Sequence, residues 1–136
     1  MKNILNKLCT IGDDIYVKES NIENAGYGLF AGKEFPPNTY ITLYDGEIIT
    51  RKEAWSRQKL SHMASREGIF VDGLKFPTSG KGGGSFSNSA SFKKYANAEI
   101  VAWLGVLVIK STKKITVDDE ILVFYGRRGF KLSCLS

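Results

Sequence analysis

The sequence Gly-Tyr-Gly-Leu-Phe-Ala at residues 26–31 decides whether the chain can adopt a dinucleotide-binding fold. Taken literally, it matches the dinucleotide-binding fingerprint G-x-G-x-x-G/A, which needs a helix that begins at the glycines and points its amides at a pyrophosphate. Gly32, Pro36 and Pro37 follow almost at once, and they leave no room for such a helix. A dinucleotide-binding fold is therefore not favoured.

On either side of this segment, short β-branched and aromatic runs predict strands. They lie at residues 15–17, 40–44, 69–71, 106–109 and 121–125. Turns are predicted at the dipeptides 45–46, 72–73 and 118–119, each of which contains aspartate. The first is Asp-Gly, which predicts a two-residue hairpin between the strands beside it. The chain is thus predicted to be mostly β, with many short strands.

Helical signals are few. Thr50 and Glu53 have the spacing of a capping box, and they predict a helix from residue 51 to about residue 62 that buries Ala54 and Trp55. A second short helix is predicted over residues 2–9. The glycine-rich run at residues 80–84 is predicted to be a flexible loop rather than a domain linker, because neither half of the chain looks self-sufficient. Its three last glycines are as compatible with a mobile surface loop as with a role in shaping a pocket.

Length and composition indicate one globular domain. The chain has 136 residues and 15.1 kDa, with 43% hydrophobic and 24% charged residues. Its two cysteines, Cys9 and Cys134, form neither a zinc site nor a disulfide framework by themselves. There is no signal-peptide pattern, and the longest apolar run, residues 101–109, is far shorter than the ~20 residues that span a bilayer. We therefore expect an intracellular protein without a membrane span.

The charge balance is basic. Nineteen Lys and Arg against fourteen Asp and Glu give a net charge of +5 and a pI of about 9.2, which favours an acidic or phosphate-rich neighbourhood such as chromatin. Basic pairs stand at residues 93–94 and 127–128, and contact with nucleosomal DNA is one interpretation of them. A nucleic-acid-binding surface would require aromatic residues among the Lys and Arg residues. Most of the aromatics instead follow strand patterns, so solvated faces are the simpler interpretation.

Catalysis by the usual groups has little support. The single histidine, His62, is predicted to be a solvated residue at the end of a polar helix, and no Ser-His or Cys-His pair can form away from it. Metal binding is not expected either. The acidic run at residues 118–120 is interpreted as a turn. An enzyme built on this chain must therefore work by positioning and with a weak acid such as tyrosine.

Four motifs in a fixed order resemble the SET domain of protein lysine methyltransferases. The family's GxG-[LVF]-F-A opening matches residues 26–31, and its YxGE motif matches residues 44–47. Its F-x-N-H-S…N-A segment is similar to residues 86–98, and its I-x-x-G-E-E-[IL]-x-x-x-Y-G ending is similar to residues 115–126. The resemblance covers about residues 15–126, within a single domain of residues 1–136 with a short tail at 127–136. It implies small curled sheets and a knot-like crossing of the C-terminal segment.

This chain departs from the family's pattern at several positions. Ser89 replaces the usual His, Asp118 the usual Gly, and Asp119 the first Glu. Residues 91–95 form an insertion, and no Cys-x-Cys cluster follows Tyr125. A minimal member of the family, of the viral or free-standing microbial type and without a zinc-bound C-terminal segment, is implied.

The resemblance implies a role for each matched residue. S-adenosylmethionine is the implied cofactor, and Tyr125 is the implied catalytic residue, whose hydroxyl orients the incoming amine. The implied cofactor-binding residues are Gly26, Tyr27, Gly28, Phe86, Asn88 and Ser89. The implied lining of the lysine channel is Tyr44, Val123, Phe124 and Phe130. Tyr44 and Phe124 could equally be core residues, and the small side chain of Val123 would leave room for more than one methyl group.

The activity implied is transfer of a methyl group to a protein lysine, with histone tails as the expected substrate. The protein would then act in the nucleus or on chromatin, and it could pair as a homodimer because a small SET protein lacks surface to cover its substrate groove. Methylation of a cytosolic protein such as a ribosomal protein is one alternative. A SET-like module that binds a peptide or cofactor without turnover is the other, and the changes at Ser89 and Asp118 favour it slightly.

Overall fold

The computed structural model describes residues 7–57 and 63–124, together with the backbone of residues 129–131. Strands dominate this part of the chain, which confirms the mostly-β prediction. The strands form three sheets, and each sheet is small enough to curl around a shared apolar core. No helix among the described residues is long and apolar enough to cross a membrane.

The first sheet has three strands in the order β1-β2-β3. They are β1 (Thr10–Ile11), β2 (Asp14–Glu19) and β3 (Tyr27–Ala31). β3 contains the segment that opened the sequence analysis, and it pairs antiparallel with β2. The absence of a helix after these glycines, predicted from the prolines that follow, is therefore confirmed.

The second sheet has five strands in the order β4-β10-β9-β11-β8. Their bounds are β4 (Tyr40–Leu43), β8 (Asn88–Ser89), β9 (Ala98–Trp103), β10 (Val106–Ser111) and β11 (Leu122–Val123). β11 runs parallel to both of its neighbours and lies between β8 and β9, although these two are consecutive among the sheet's strands. The connection at residues 90–97 must therefore pass across the C-terminal segment, which is the crossing that the resemblance implies.

The third sheet has the order β12-β6-β7-β5. Its strands are β5 (Gly46–Ile49), β6 (Met63–Arg66), β7 (Ile69–Gly73) and β12 (Gly129–Lys131). All of its pairings are antiparallel. In this order β6 and β7 are the inner strands, and β12 and β5 are the edge strands.

Two of the predicted turns are wrong. Asp45-Gly46 does not join a hairpin, because β4 pairs with β10 while β5 pairs with β7, so the dipeptide carries the chain from one sheet to another. Gly46 is needed there because a Cβ would collide with the backbone of Asp72 across the pair. Asp72 and Gly73 lie inside β7, opposite Glu47 and Gly46, and do not turn. The turn at residues 118–119 is confirmed, with the amide of Asp119 donating to the carbonyl of Thr116 at 3.1 Å.

The helix α1 (Arg51–Ser56) begins at the predicted capping box. The amide of Glu53 donates to the Thr50 hydroxyl, and the Thr50 amide donates to Glu53 Oε1, both at 3.1 Å. Ala54 is buried as predicted, whereas Trp55 is 53% exposed, because so short a helix buries only one side against Met63. Residues 58–62 of the predicted helix, including His62, lie outside the described residues. So do residues 1–6 of the other predicted helix, and its last residue, Cys9, is extended and bridges Thr42.

The glycine run is packed into the core, which corrects the prediction of a flexible surface loop. Residues 82–84 are buried. A Cβ on Gly83 would lie 2.8 Å from Leu29 Cδ1 and 3.2 Å from Ile15 Cδ1, and one on Gly84 would lie 2.8 Å from the Cα of Tyr44. Glycine is present because the backbone itself fills space that a side chain would occupy. The run thus brings Phe86 and Asn88 up against β3.

Candidate functional site

Three segments that are far apart in the sequence meet beside β3. The amide of Ala31 donates to the carbonyl of Asp119 at 2.9 Å, and the amide of Ile121 donates to the carbonyl of Leu29 at 2.7 Å. The segment that makes these bonds continues into β11, which pairs with β8. The crossing therefore brings together the glycine motif, the asparagine motif and the C-terminal motif.

Glu120 lies at the centre of this junction. It is only 8% exposed, and its carboxylate accepts hydrogen bonds from the Ser20 hydroxyl (2.6 Å), the Asn21 amide (2.9 Å) and Asn88 Nδ2 (3.3 Å). No lysine or arginine of the described part of the chain lies within ion-pair distance of it. A buried carboxylate is stable here because neutral donors satisfy it.

The sequence interpretation missed Glu120, because it took the acidic run 118–120 for a turn. Two signals could have found it. It stands at the second glutamate of the family's G-E-E ending, and it directly precedes the apolar residues of β11. A glutamate beside a buried strand is buried only where partners satisfy its carboxylate, so such a position is a candidate for a site.

Asn88 is held in one orientation. Its Nδ2 donates to the carbonyl of Tyr27 at 2.9 Å and to Glu120 Oε2 at 3.3 Å, which leaves Oδ1 without a donor among the described residues. An oriented amide oxygen is a suitable acceptor for the ammonium group of an amino-acid ligand. This observation fits the cofactor that the resemblance implies.

Glycine is favoured at the two positions of the opening motif for different reasons. Gly26 has φ +75°, which favours glycine, but a Cβ there would meet nothing within 4 Å. Gly28 has ordinary backbone angles, but a Cβ there would lie 2.5 Å from Glu120 Oε2 and 3.1 Å from the Cα of Ser20. The absent side chain of Gly28 thus makes room for the buried carboxylate.

The ring of Tyr27 is half exposed beside this cluster. It packs edge-on against Phe86, with ring centroids 6.1 Å apart and planes at 85°. Phe86 itself is buried, so it supports Tyr27 from the core. Ser89 is half-buried in β8, opposite Val123. The cofactor-binding roles of all three stay predictions.

The residues predicted to line a lysine channel are in different places. Tyr44 and Val123 are buried in the main core, and Phe124 is half-buried at the edge of an open groove. Tyr125, the predicted catalytic residue, lies outside the described residues, as does the side chain of Phe130. The channel and the catalytic role therefore stay predictions.

Asn97, a second residue that the sequence interpretation did not assign to the site, anchors the crossing. Its Nδ2 donates to the carbonyl of Glu120, and its Oδ1 accepts from the amide of Leu122, both at 2.9 Å. It thereby replaces strand hydrogen bonds at the point where β11 begins. Asn97 also aligns with the N-A that closes the family's asparagine segment.

The structure accommodates aspartate at position 118, where the family has glycine. It has φ +69°, the left-handed region that aspartate enters more readily than most residues. Its Oδ1 accepts from the Tyr16 hydroxyl at 2.8 Å, and this hydrogen bond raises the pKa of Tyr16 above its ordinary value. The departure at Asp118 therefore leaves the turn intact.

Metal binding has no visible support in this part of the chain. Within residues 7–57 and 63–124, no group of three or more His, Cys, Asp or Glu side chains is arranged to hold an ion. The prediction of a metal-free site stays a prediction.

Comparison with known proteins identifies a family and several similar structures. The sequence model of the SET domain matches residues 26–126. A search of curated proteins finds no significant match. Among solved structures, the chain is similar to the methyltransferase domain of human PR domain-containing protein 2, with 18% identity and a TM-score of 0.63 over 92% of this chain and 83% of that one.

Two other similar structures are of the polycomb repressive complex 2 of Chaetomium thermophilum. One is autoinhibited and bound to S-adenosylmethionine, with 22% identity and a TM-score of 0.65 over 89% of this chain. The other is a humanized mutant bound to the inhibitor GSK343, with 21% identity and a TM-score of 0.68 over 96% of this chain. This chain spans only 16% and 17% of those two chains. At these identities the likeness shows the fold.

Proposed function

The chain belongs to the SET domain family, and from this premise we propose that it is a protein lysine methyltransferase that uses S-adenosylmethionine. The observation that carries the proposal is the state of Asn88. Its Nδ2 is bonded to the carbonyl of Tyr27 and to the buried Glu120, while its Oδ1 is left to accept from a ligand. Asn88 is half-buried, so an oriented acceptor at this position suits the ammonium group of the cofactor.

The reaction is an in-line displacement. The lone pair of an uncharged lysine amine forms the new N–C bond while the C–S bond breaks and its electron pair goes to sulfur. S-adenosylmethionine supplies the methyl group on a positively charged sulfur, so alignment and exclusion of water matter more than a strong acid or base. A chain with one histidine can therefore support this chemistry.

This chain's residues divide the work. Asn88 Oδ1 accepts from the ammonium group of the cofactor, Tyr27 offers its main chain, and Gly28 leaves room for the carboxylate that orients Asn88. Tyr125 holds the lysine amine through its hydroxyl. The channel for the lysine side chain is assigned to Phe124 and Phe130 at its mouth and to the core residues Tyr44 and Val123 at its inner wall.

The finer part of the proposal concerns the substrate. We propose that the substrate is a histone tail, in the nucleus or on chromatin. The net charge of +5 supports this proposal, because it suits a phosphate-rich neighbourhood.

A homodimer is proposed as the working state, and sedimentation tests it. Nuclear fractionation of the tagged protein tests the compartment.

Radiolabelled S-adenosylmethionine tests the activity, with core histones and, separately, ribosomal protein as acceptors. We expect label on histone lysine, and a loss of about 10²–10⁴-fold in turnover for Tyr125→Phe with cofactor affinity unchanged. Calorimetry with Asn88→Ala is expected to show about 5- to 150-fold weaker cofactor binding. Wild-type turnover in Tyr125→Phe would remove Tyr125 from the mechanism. Cofactor binding without transfer to any protein would instead support the binding-module alternative.

A further inference from the structure

The insertion that distinguishes this chain from the family's pattern carries two exposed aromatic rings. Phe92 is 62% exposed and precedes a short turn of 3₁₀ helix (Lys93–Tyr95), and Tyr95, the last residue of that turn, is 59% exposed. Their centroids lie 6.1 Å apart with planes at 64°, so each supports the other in solvent. Large exposed rings that lie together need a reason beyond the fold, because burial would have stabilised them.

Two lysines, Lys93 and Lys94, stand between these rings in the sequence. Lys93 and Lys94 line an open groove of about 520 Å³ together with Lys113, and Glu99 is the one acidic residue in its described lining. Lys94 Nζ lies 5.1 Å from the centroid of the Tyr95 ring. Lys113 Nζ donates to the carbonyl of Lys94 at 3.1 Å, which ties the insertion to the end of β10. The groove therefore carries mainly positive charge, and the rings of Phe92 and Tyr95 belong to the same insertion as two of its three lysines.

We propose that this insertion surface, formed by residues 92–95 and Lys113, binds single-stranded nucleic acid. Aromatic rings interleaved with lysines are the pattern that single strands require, because bases stack on the rings while the lysines contact phosphates. The sequence had placed most aromatics in strands, and the structure shows that these two are exceptions. An acidic peptide or a duplex would use the lysines but leave the rings without a partner.

The surface does not depend on the proposed methyl transfer. Its rings and lysines are separate from Asn88, Glu120 and the other residues placed around the cofactor. The groove does border Phe124, which precedes Tyr125, so a bound strand would lie near the entrance of the proposed channel. Binding to nucleic acid and methyl transfer to a free peptide can therefore be measured independently.

Fluorescence anisotropy with a short labelled oligothymidylate tests the charge contribution. Three lysine–phosphate contacts predict a slope of about −2 for log affinity against log salt, at roughly −0.7 per phosphate of a single strand. Lys93→Gln should bring the slope to about −1.4. Lys75→Gln is the matched control, because Lys75 is exposed and does not line the groove. A slope equally changed by Lys75→Gln would overturn the assignment to this surface.

The aromatic contribution is tested with Tyr95→Ala and Phe92→Ala. Loss of one stacked base predicts about 5- to 150-fold weaker binding with the salt slope unchanged, and Tyr95→Phe should retain the affinity. Turnover on a short lysine peptide should be the same in all these variants. Unchanged binding in Tyr95→Ala would overturn the proposal. So would tighter binding of a duplex of equal length or of polyglutamate.

Discussion

Glu120 receives hydrogen bonds from two separate parts of the chain, Ser20 and Asn21 on one side and Asn88 on the other. Its carboxylate and the carbonyl of Tyr27 can only accept, and together they determine which way the Asn88 amide faces. The orientation of Asn88, the proposed cofactor-binding residue, thus depends in part on Glu120, which does not itself need to touch the cofactor. Glu120 is a positioning residue.

We predict that Glu120→Gln destabilises the protein by about 1–3 kcal/mol, because the new amide turns one acceptor into a donor facing other donors. Urea denaturation measures the change. Cofactor affinity measured by calorimetry should fall as well, since this change disturbs one of the two acceptors that orient Asn88. Glu23→Gln is the control, because Glu23 is exposed, and its effect should stay within about 0.5 kcal/mol. Equal stability of the two variants would refute the role given to Glu120.

Gly28→Ala tests the same cluster from the opposite side. The added methyl group would lie 2.5 Å from Glu120 Oε2 and 3.1 Å from the Cα of Ser20, so the carboxylate must shift, and its hydrogen bond to Asn88 is disturbed. We expect a loss of about 1–3 kcal/mol in the free energy of unfolding, the usual cost of overpacking. Thermal denaturation and cofactor calorimetry give the two readouts. A folded Gly28→Ala protein with unchanged cofactor affinity would show that Asn88 does not depend on the position of Glu120.

At the scale of elements, α1 shows how a six-residue helix is stabilised. A helix of this length is unstable alone, because nucleation is costly and few hydrogen bonds repay it. Here Thr50 and Glu53 cap its start, and Arg57, just beyond its end, forms ion pairs with Glu47, Glu53 and Asp72. The helix is thus attached to β5 and β7 by Arg57 at its C-terminal end.

Thr50→Ala should therefore cost about 0.5–2 kcal/mol at neutral pH, the usual range for loss of an N-cap. Denaturation of Thr50→Ser provides the control, because serine keeps the capping hydroxyl. If Thr50→Ala and Thr50→Ser were equally stable, the cap would not be what supports α1.

The same cap predicts a pH dependence. Hydrogen bonds from the Thr50 amide and hydroxyl, followed by the charge of Arg57, hold the pKa of Glu53 below its ordinary value of 4.5. A lowered pKa in the folded state means that Glu53 adds stability above pH 4.5 and that this stability is lost as the pH falls through the folded pKa. We expect Thr50→Ala to raise the pKa of Glu53 in a carboxyl NMR titration and to reduce the acid loss. An unchanged pKa would contradict this.

At the scale of the whole molecule, the crossing brings the site together. β11 lies between β8 and β9, and the segment before it bonds along β3, so the three segments of the site depend on one passage of the chain. Such a passage is unusual, because connections that cross one another are rare in folds. Asn97 closes it by bonding to the backbone of both Glu120 and Leu122.

Asn97→Ala should lower the free energy of unfolding by about 1–3 kcal/mol, because it removes the partners of one backbone carbonyl and one backbone amide in a partly buried place. Since the same segment carries Glu120, cofactor affinity should fall in parallel. Urea denaturation followed by calorimetry of the folded protein measures both. A loss of stability with normal cofactor binding would mean that Asn97 supports the crossing but not the site.

The sequence by itself determined whatever depends on neighbours along the chain or on an ordered set of motifs. Strand runs, the capping box at Thr50 and the turn at residues 118–119 follow from local backbone preferences, and the order of four motifs identified the SET family. Local signals failed where a distant segment decided the outcome. Asp45-Gly46 has the composition of a hairpin turn, yet the partners of the two flanking strands lie elsewhere in the chain.

Only the tertiary structure decided which polar residues form the site. Glu120 looks like part of a solvated acidic run until the crossing buries it against Ser20 and Asn88, and residues 82–84 look mobile until the core closes around them. The reason is physical. Burial and hydrogen-bond satisfaction depend on contacts between residues that are distant in sequence, whereas propensity and motif spacing describe only neighbours and order along the chain.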